Sequence, residues 1–62
     1  MTFHYTAGHD KQGLLHVVPY LNDAWVCIAD VAGQMMIVSN PRDFDGSLNW
    51  AQNFCGSFCL LP

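Results

Sequence analysis

Charged side chains are scarce in this sequence, and that scarcity constrains the fold more than any other feature. Lys11 and Arg42 are the only Lys or Arg residues among 62, all five acidic residues are aspartates, and glutamate is absent. A solvated helix normally carries Glu, Lys and Arg on its outer face, whereas just over half of this chain is apolar. The composition therefore favours strands, turns and buried faces over exposed helices.

The chain is short for the amount of apolar surface that it must bury. A chain of 62 residues holds at most one hydrophobic core, so we expect a single small domain over residues 1–62. A domain of this size buries only about 60% of the surface of its unfolded chain. The apolar surface left over normally marks contact sites, which predicts a protein partner or self-association.

Local patterns in the first third of the chain predict two strands. Polar and apolar residues alternate over residues 2–6, which places Phe3 and Tyr5 on one face of a half-buried strand. Residues 8–13 are polar and bounded by glycines, as in the turn of a hairpin. Residues 14–20 fit either a helix or a strand, but Pro19 would break a helix and in a sheet belongs at an edge or a bulge. We therefore expect a short edge strand there.

The middle of the chain predicts a second hairpin. Residues 25–29 are a dense run of strand-forming residues without charge, typical of a central strand with both faces buried. Ala32 and Gly33 form a turn, and residues 35–38 are a second apolar run that pairs with the first.

The last third predicts a loop, a short helix and a return to the sheet. Residues 40–46 are a polar loop, after which Ser47 is expected to cap a helix with Leu48 and Ala51 on its inner face. Gly56 is placed to end this helix, and residues 58–61 form a last strand. The predicted class is α+β and β-rich: a small antiparallel sheet of four or five strands with one short helix near the C-terminus.

Cysteine and histidine spacings offer a zinc site as an alternative to a chain without metal. His4 and His9 lie five apart, and Cys55 and Cys59 lie four apart, close to the ligand spacings of tetrahedral zinc sites. One such cysteine pair is common by chance, so we expect no metal and no cofactor. The odd number of cysteines and the lack of an apolar leader favour free thiols, and hence a cytoplasmic location. No apolar run approaches the ~20 residues of a membrane helix.

The function expected from these residues is binding. Two cations cannot neutralise a phosphate backbone, which argues against nucleic acid, and no spacing links a nucleophile to a base, so an enzyme is not expected. His16 is expected to be a packed or edge residue. Aromatic residues outside the expected core predict the contact surface: Tyr20, Phe44 and Trp50. We predict a small cytosolic binding or inhibitory module that acts through protein contacts or as a homodimer. A small-ligand or zinc-binding domain is the alternative, and a small enzyme or enzyme subunit comes third.

Overall fold

A computed structural model describes residues 1–7 and 11–55, and within them four strands form one antiparallel sheet with a helix on one face. The strands lie side by side in chain order, which confirms the predicted α+β, β-rich class with a helix near the C-terminus. Their bounds are β1 (Thr2–Ala7), β2 (Lys11–Pro19), β3 (Trp25–Val31) and β4 (Gln34–Ile37), followed by the helix α1 (Phe44–Cys55).

The register of the sheet determines which residues share a face. Phe3, Leu15, Ala29 and Met36 are successive partners across the four strands, and paired residues point to the same side. Helix α1 packs on this side of the sheet, against β1, β2 and β3. This side is therefore called the helix face. The core between sheet and helix consists of Phe3, Leu15, Val17, Cys27 and Ala51.

The opposite side of the sheet, called the open face, has no helix packed on it in the described part of the chain. Its rows include Thr2, His16, Ile28 and Ile37, which are successive partners across the strands. Val26 also lies on this side and is almost fully buried, so this face is shielded from solvent near the start of β3. It opens toward β4, where the side chain of Ile37 is exposed.

The position predicted for β2 is wrong. Residues 14–20 were expected to form a short edge strand, but β2 is nine residues long and lies between β1 and β3. Pro19 is compatible with an interior strand because its nitrogen, like that of Val17, points to the β1 side, where Val17 already pairs with Met1 and β1 offers Pro19 no partner. Strand β2 also begins earlier than predicted, at Lys11.

The second hairpin is confirmed, and its turn explains how sharply the chain reverses. Ala32 and Gly33 both have positive φ angles, 55° and 79°. This is the combination that a two-residue type I′ turn needs, and such a turn matches the twist of the strands that it joins. The turn therefore fixes β4 directly against β3.

A bulge connects β4 to the helix. Val38 N–H donates to the Cys27 carbonyl, and the Ser39 hydroxyl accepts a hydrogen bond from the Cys27 N–H. Arg42 then pairs with Trp25 through two backbone hydrogen bonds. Residues 39–41 therefore lie opposite a single residue of β3. The bulge brings the chain back to the start of β3, where α1 begins.

The predicted helix cap is one turn too late. Asp43 caps α1, because its carboxylate accepts the Gly46 N–H at 2.7 Å. Ser47 instead lies in the first turn, buried, and its hydroxyl donates to the Trp25 carbonyl at 2.9 Å. A side chain that contacts the sheet in this way cannot also cap the helix. Gly56 and residues 58–61, the predicted helix stop and last strand, lie outside the described residues.

Candidate functional site

Strand β4 forms one edge of the sheet, and every residue in it is exposed. The exposed fractions are 61% for Met35, 69% for Met36 and 50% for Ile37, although all three side chains are large and apolar. Within residues 1–7 and 11–55, nothing pairs with the outer side of this strand. We call Met35, Met36 and Ile37 the β4 edge.

The backbone of the β4 edge also presents hydrogen-bonding groups to solvent. The Val38 N–H points to β3, and backbone groups alternate direction along a strand. The N–H and C=O groups of Met36 therefore also point to β3. The N–H and C=O groups of Met35 and Ile37 therefore point outward. Residues 34–39 contain no charged side chain, so this edge lacks the charge that usually opposes strand addition.

A groove lies on the helix face beside the β4 edge, where α1 does not cover the sheet. It has a volume of about 460 Å³. Its lining is mostly apolar, with the Gln34 side chain as a polar group. The lining residues are Ala29, Val31, Ala32, Gln34, Met35, Met36 and Val38.

A small polar cluster lies on the open face. His16 Nδ1 is 3.1 Å from the Thr2 hydroxyl, and His16 Nε2 is 3.9 Å from an Asp30 carboxylate oxygen. All three side chains are half-buried, and β1, β2 and β3 each contribute one. His16 is half-buried on an interior strand, and its two neighbours cannot be predicted from the sequence because they depend on strand register.

The three aromatic residues predicted as a contact surface have different surroundings. Tyr20 is 44% exposed, directly after β2. Phe44 is half-buried and meets Trp25 edge to face, with ring centroids 4.7 Å apart. Trp50 is also half-buried and stacks on Phe54 at 5.0 Å. Phe44 and Trp50 both pack against the core, and their role in binding a partner stays a prediction.

The described part of the alternative zinc site is not assembled. His4 lies on the open face, because it alternates with Phe3 and Tyr5 along β1, whereas Cys55 packs against the core on the helix face. His9 and Cys59 lie outside the described residues. Across residues 1–7 and 11–55, no three His, Cys, Asp or Glu side chains come together as metal ligands.

The two described cysteines are free and have weakly acidic thiols. Burial raises the pKa of the Cys27 thiol, although the Ser39 hydrogen bond and the Arg42 charge act in the opposite direction. Burial also raises the pKa of Cys55, with a smaller contribution from Cys27. A raised pKa leaves little thiolate at neutral pH, so neither cysteine has the character of an activated nucleophile.

Comparison with protein-family models, with curated proteins and with solved structures found no match to this chain. In the part of the chain that the structure describes, no helix is both long enough and apolar enough to cross a membrane.

Proposed function

We propose that this chain is a small binding module that acts through protein contacts, with the β4 edge as its contact surface. The observation that carries the proposal is the exposure of Met35, Met36 and Ile37 on an edge strand without charge. Natural proteins protect such edges by keeping them short, with lysines, prolines or bulges, or by covering them with a helix or loop. β4 is short, at four residues, and a bulge follows it, but residues 34–37 themselves carry no charge and no proline, and their exposed apolar side chains support the view that a partner covers them.

The mode of binding that fits this edge is strand addition. A strand of the partner would bond to the outward N–H and C=O groups of Met35 and Ile37, and exposed apolar side chains would supply the buried area. Inhibition is one form of this function, in which the module occupies a site on a larger protein. We place the module in the cytoplasm, because Cys27 and Cys55 are free thiols and so fit a reducing compartment.

Binding of a small apolar ligand is a second candidate function, favoured by the groove beside the β4 edge. Its volume of about 460 Å³ lies within the range of roughly 300–1,000 Å³ that is usual for ligand pockets. Such pockets normally also contain a few polar groups that orient the ligand, and Gln34 is the polar side chain in this lining. Protein contact remains the better-supported function, because it also accounts for the exposed apolar side chains of an uncharged strand edge.

The test compares two substitutions on opposite edges of the sheet. Ile37→Lys places a charge on the β4 edge, and His4→Lys places the same charge at an exposed position of β1. Association is measured as self-association by sedimentation and as capture of other proteins in quantitative pull-downs. We expect Ile37→Lys to reduce association by about tenfold or more, equivalent to at least ~1.4 kcal/mol, and His4→Lys to leave it unchanged. The proposal is wrong if native protein and both variants associate equally, or if none of them associates.

A further inference from the structure

We infer that the partner of the β4 edge is a second copy of this chain, an inference that rests on the proposed protein-contact function. The two β4 strands pair antiparallel about a twofold axis that passes beside Met36. This pairing joins two four-stranded sheets into one continuous sheet of eight strands.

The outward backbone groups make β4 complementary to itself. With the axis at Met36, Met35 of one copy lies opposite Ile37 of the second copy, and both residues direct their N–H and C=O groups toward each other. Each such antiparallel pair exchanges two hydrogen bonds, so the two symmetric pairs together form about four. A register shifted by one residue would instead place an outward residue opposite an inward one.

The side chains of the β4 edge cover one another in this arrangement. On the open face, Met35 and Ile37 of each copy meet across the new strand pair, next to Ile28. On the helix face, the two Met36 residues lie directly opposite each other as a pair without mutual hydrogen bonds, with their Cα atoms about 4.5 Å apart. Met36, the most exposed side chain of the β4 edge, is thus the one nearest the twofold axis.

Charge distribution favours this edge over the other one. The chain has a net charge of −3, so two copies repel each other weakly, but residues 34–39 bring no charge to the contact. The nearest acid across the hairpin is Asp30, which lies one strand in from the edge as the partner of Met35. At the opposite edge of the sheet, the outward residues of β1 include Thr2 and His4, which are polar and less suited to a buried contact.

The size of the contact predicts a weak dimer. A pair of four-residue strands buries less than the ~1,200 Å² at the lower end of stable interfaces, so monomer and dimer should exchange rapidly. Pairing with a second copy covers the exposed apolar residues of two identical edges at once, whereas pairing with an unrelated strand covers those of only one.

Disulfide trapping tests the register directly. In a background with Cys55→Ser and Cys59→Ser, Met36→Cys places two thiols at the axis, within the Cα separation of roughly 4.4–6.8 Å that a disulfide allows. Met35→Cys is the matched control: it is similarly exposed, but its two copies are diagonal neighbours about 7–8 Å apart. We expect about tenfold more disulfide-linked dimer from Met36→Cys than from Met35→Cys under mild oxidation.

The outcomes separate this inference from the proposed function. Equal trapping at the two positions, or no trapping at Met36→Cys, overturns the self-pairing of β4. If Ile37→Lys nevertheless reduces the capture of another protein, the binding function stands and only the identity of the partner is wrong. Because Met36 is 69% exposed, its replacement should leave the fold intact, and circular dichroism of the reduced variant verifies this.

Discussion

The ring of Tyr5 lies over Gly13 on the neighbouring strand, so closely that a methyl group at Gly13 would come 2.7 Å from Tyr5 Cζ. The two residues are direct partners in the register of β1 and β2. The same ring meets Phe54 edge to face at 5.2 Å, which connects the sheet to the end of α1. The missing side chain at Gly13 therefore makes room for the aromatic contact between sheet and helix.

Gly13→Ala should lower the free energy of unfolding by about 1–3 kcal/mol, because the added methyl group displaces the Tyr5 ring from Phe54. Chemical denaturation measures the loss. In a Tyr5→Ala background the same substitution should cost much less, since no ring remains to be displaced. An equal cost in both backgrounds would show that something other than the ring limits the space at Gly13.

Ala32→Asn should stabilise the protein by about 0.5–1 kcal/mol. Ala32 has a φ of 55°, a left-handed conformation that costs an alanine free energy and that asparagine adopts more readily. Gly33→Ala is the opposite control and should destabilise, because φ there is 79°. Thermal melts of the two variants should shift in opposite directions, and shifts of the same sign would contradict the assigned turn.

Asp43→Ala should cost about 1 kcal/mol, the usual value of a helix cap. Its carboxylate accepts the Gly46 N–H, whereas no side-chain hydrogen bond of this kind involves Asp45 in the described residues. Asp45→Ala removes the same charge from the first turn of α1 and should cost only a few tenths of a kcal/mol. Equal losses for the two variants in urea denaturation would mean that charge, and not the cap, stabilises the helix.

The stability of the fold should decrease in alkaline solution, partly through Cys27. Because burial raises the pKa of this thiol, the folded state holds its proton more tightly than the unfolded chain does. The resulting stability is fully present below the ordinary thiol pKa of 9.0 and is lost as pH rises through the higher folded pKa.

The measurement compares chemical denaturation at about pH 8 and about pH 10 for the native chain and Cys27→Ala. The variant keeps Tyr5 and Cys55, whose pKa values burial also raises, so the difference reports Cys27 together with its smaller effect on Cys55. The native chain should lose more stability over this interval than the variant. Parallel losses would assign the alkaline transition to the other groups.

Phe44→Ala and Tyr20→Ala should differ clearly in their effect on stability. Phe44 is half-buried against Trp25, so its removal should cost about 2–3 kcal/mol, somewhat less than that of a fully buried aromatic residue. Tyr20 is 44% exposed, and its removal should cost less than about 1 kcal/mol. Differential scanning calorimetry gives both values. A large loss for Tyr20→Ala would contradict its assignment as a surface residue.

Features with a local cause could be predicted from the sequence. Alternation over residues 2–6 identified β1 and the inward direction of Phe3, because side chains alternate along any strand. Ala32 and Gly33 identified the second hairpin, because a two-residue turn depends on those two backbone conformations. Scarce charge correctly favoured a sheet over exposed helices.

Features that depend on distant neighbours could not be predicted. Pro19 suggested an edge strand, but whether β2 is an edge depends on where β1 and β3 lie. Ser47 and Asp43 are both good capping residues, and the contact of Ser47 with Trp25 in the folded chain leaves Asp43 as the cap. The exposure of β4 likewise follows from strand order, although the absence of charge from residues 34–39 was visible in the sequence.

The order of strands also has a consequence for the kinetics of folding. Each strand pairs with the next one along the chain, so every pair in the sheet closes a short loop, and the helix docks on strands that precede it. Strand pairs that are near in sequence cross a low entropic barrier, so the sheet should form faster than one built from distant segments, whereas the docking of α1 on β1 joins distant parts of the chain. The hairpin of β3 and β4 has a two-residue turn and short strands, so it should be an early structure on the folding pathway. The uncharged edge would then exist before the helix has docked, and the time spent in that state sets how long a folding chain is exposed to aggregation.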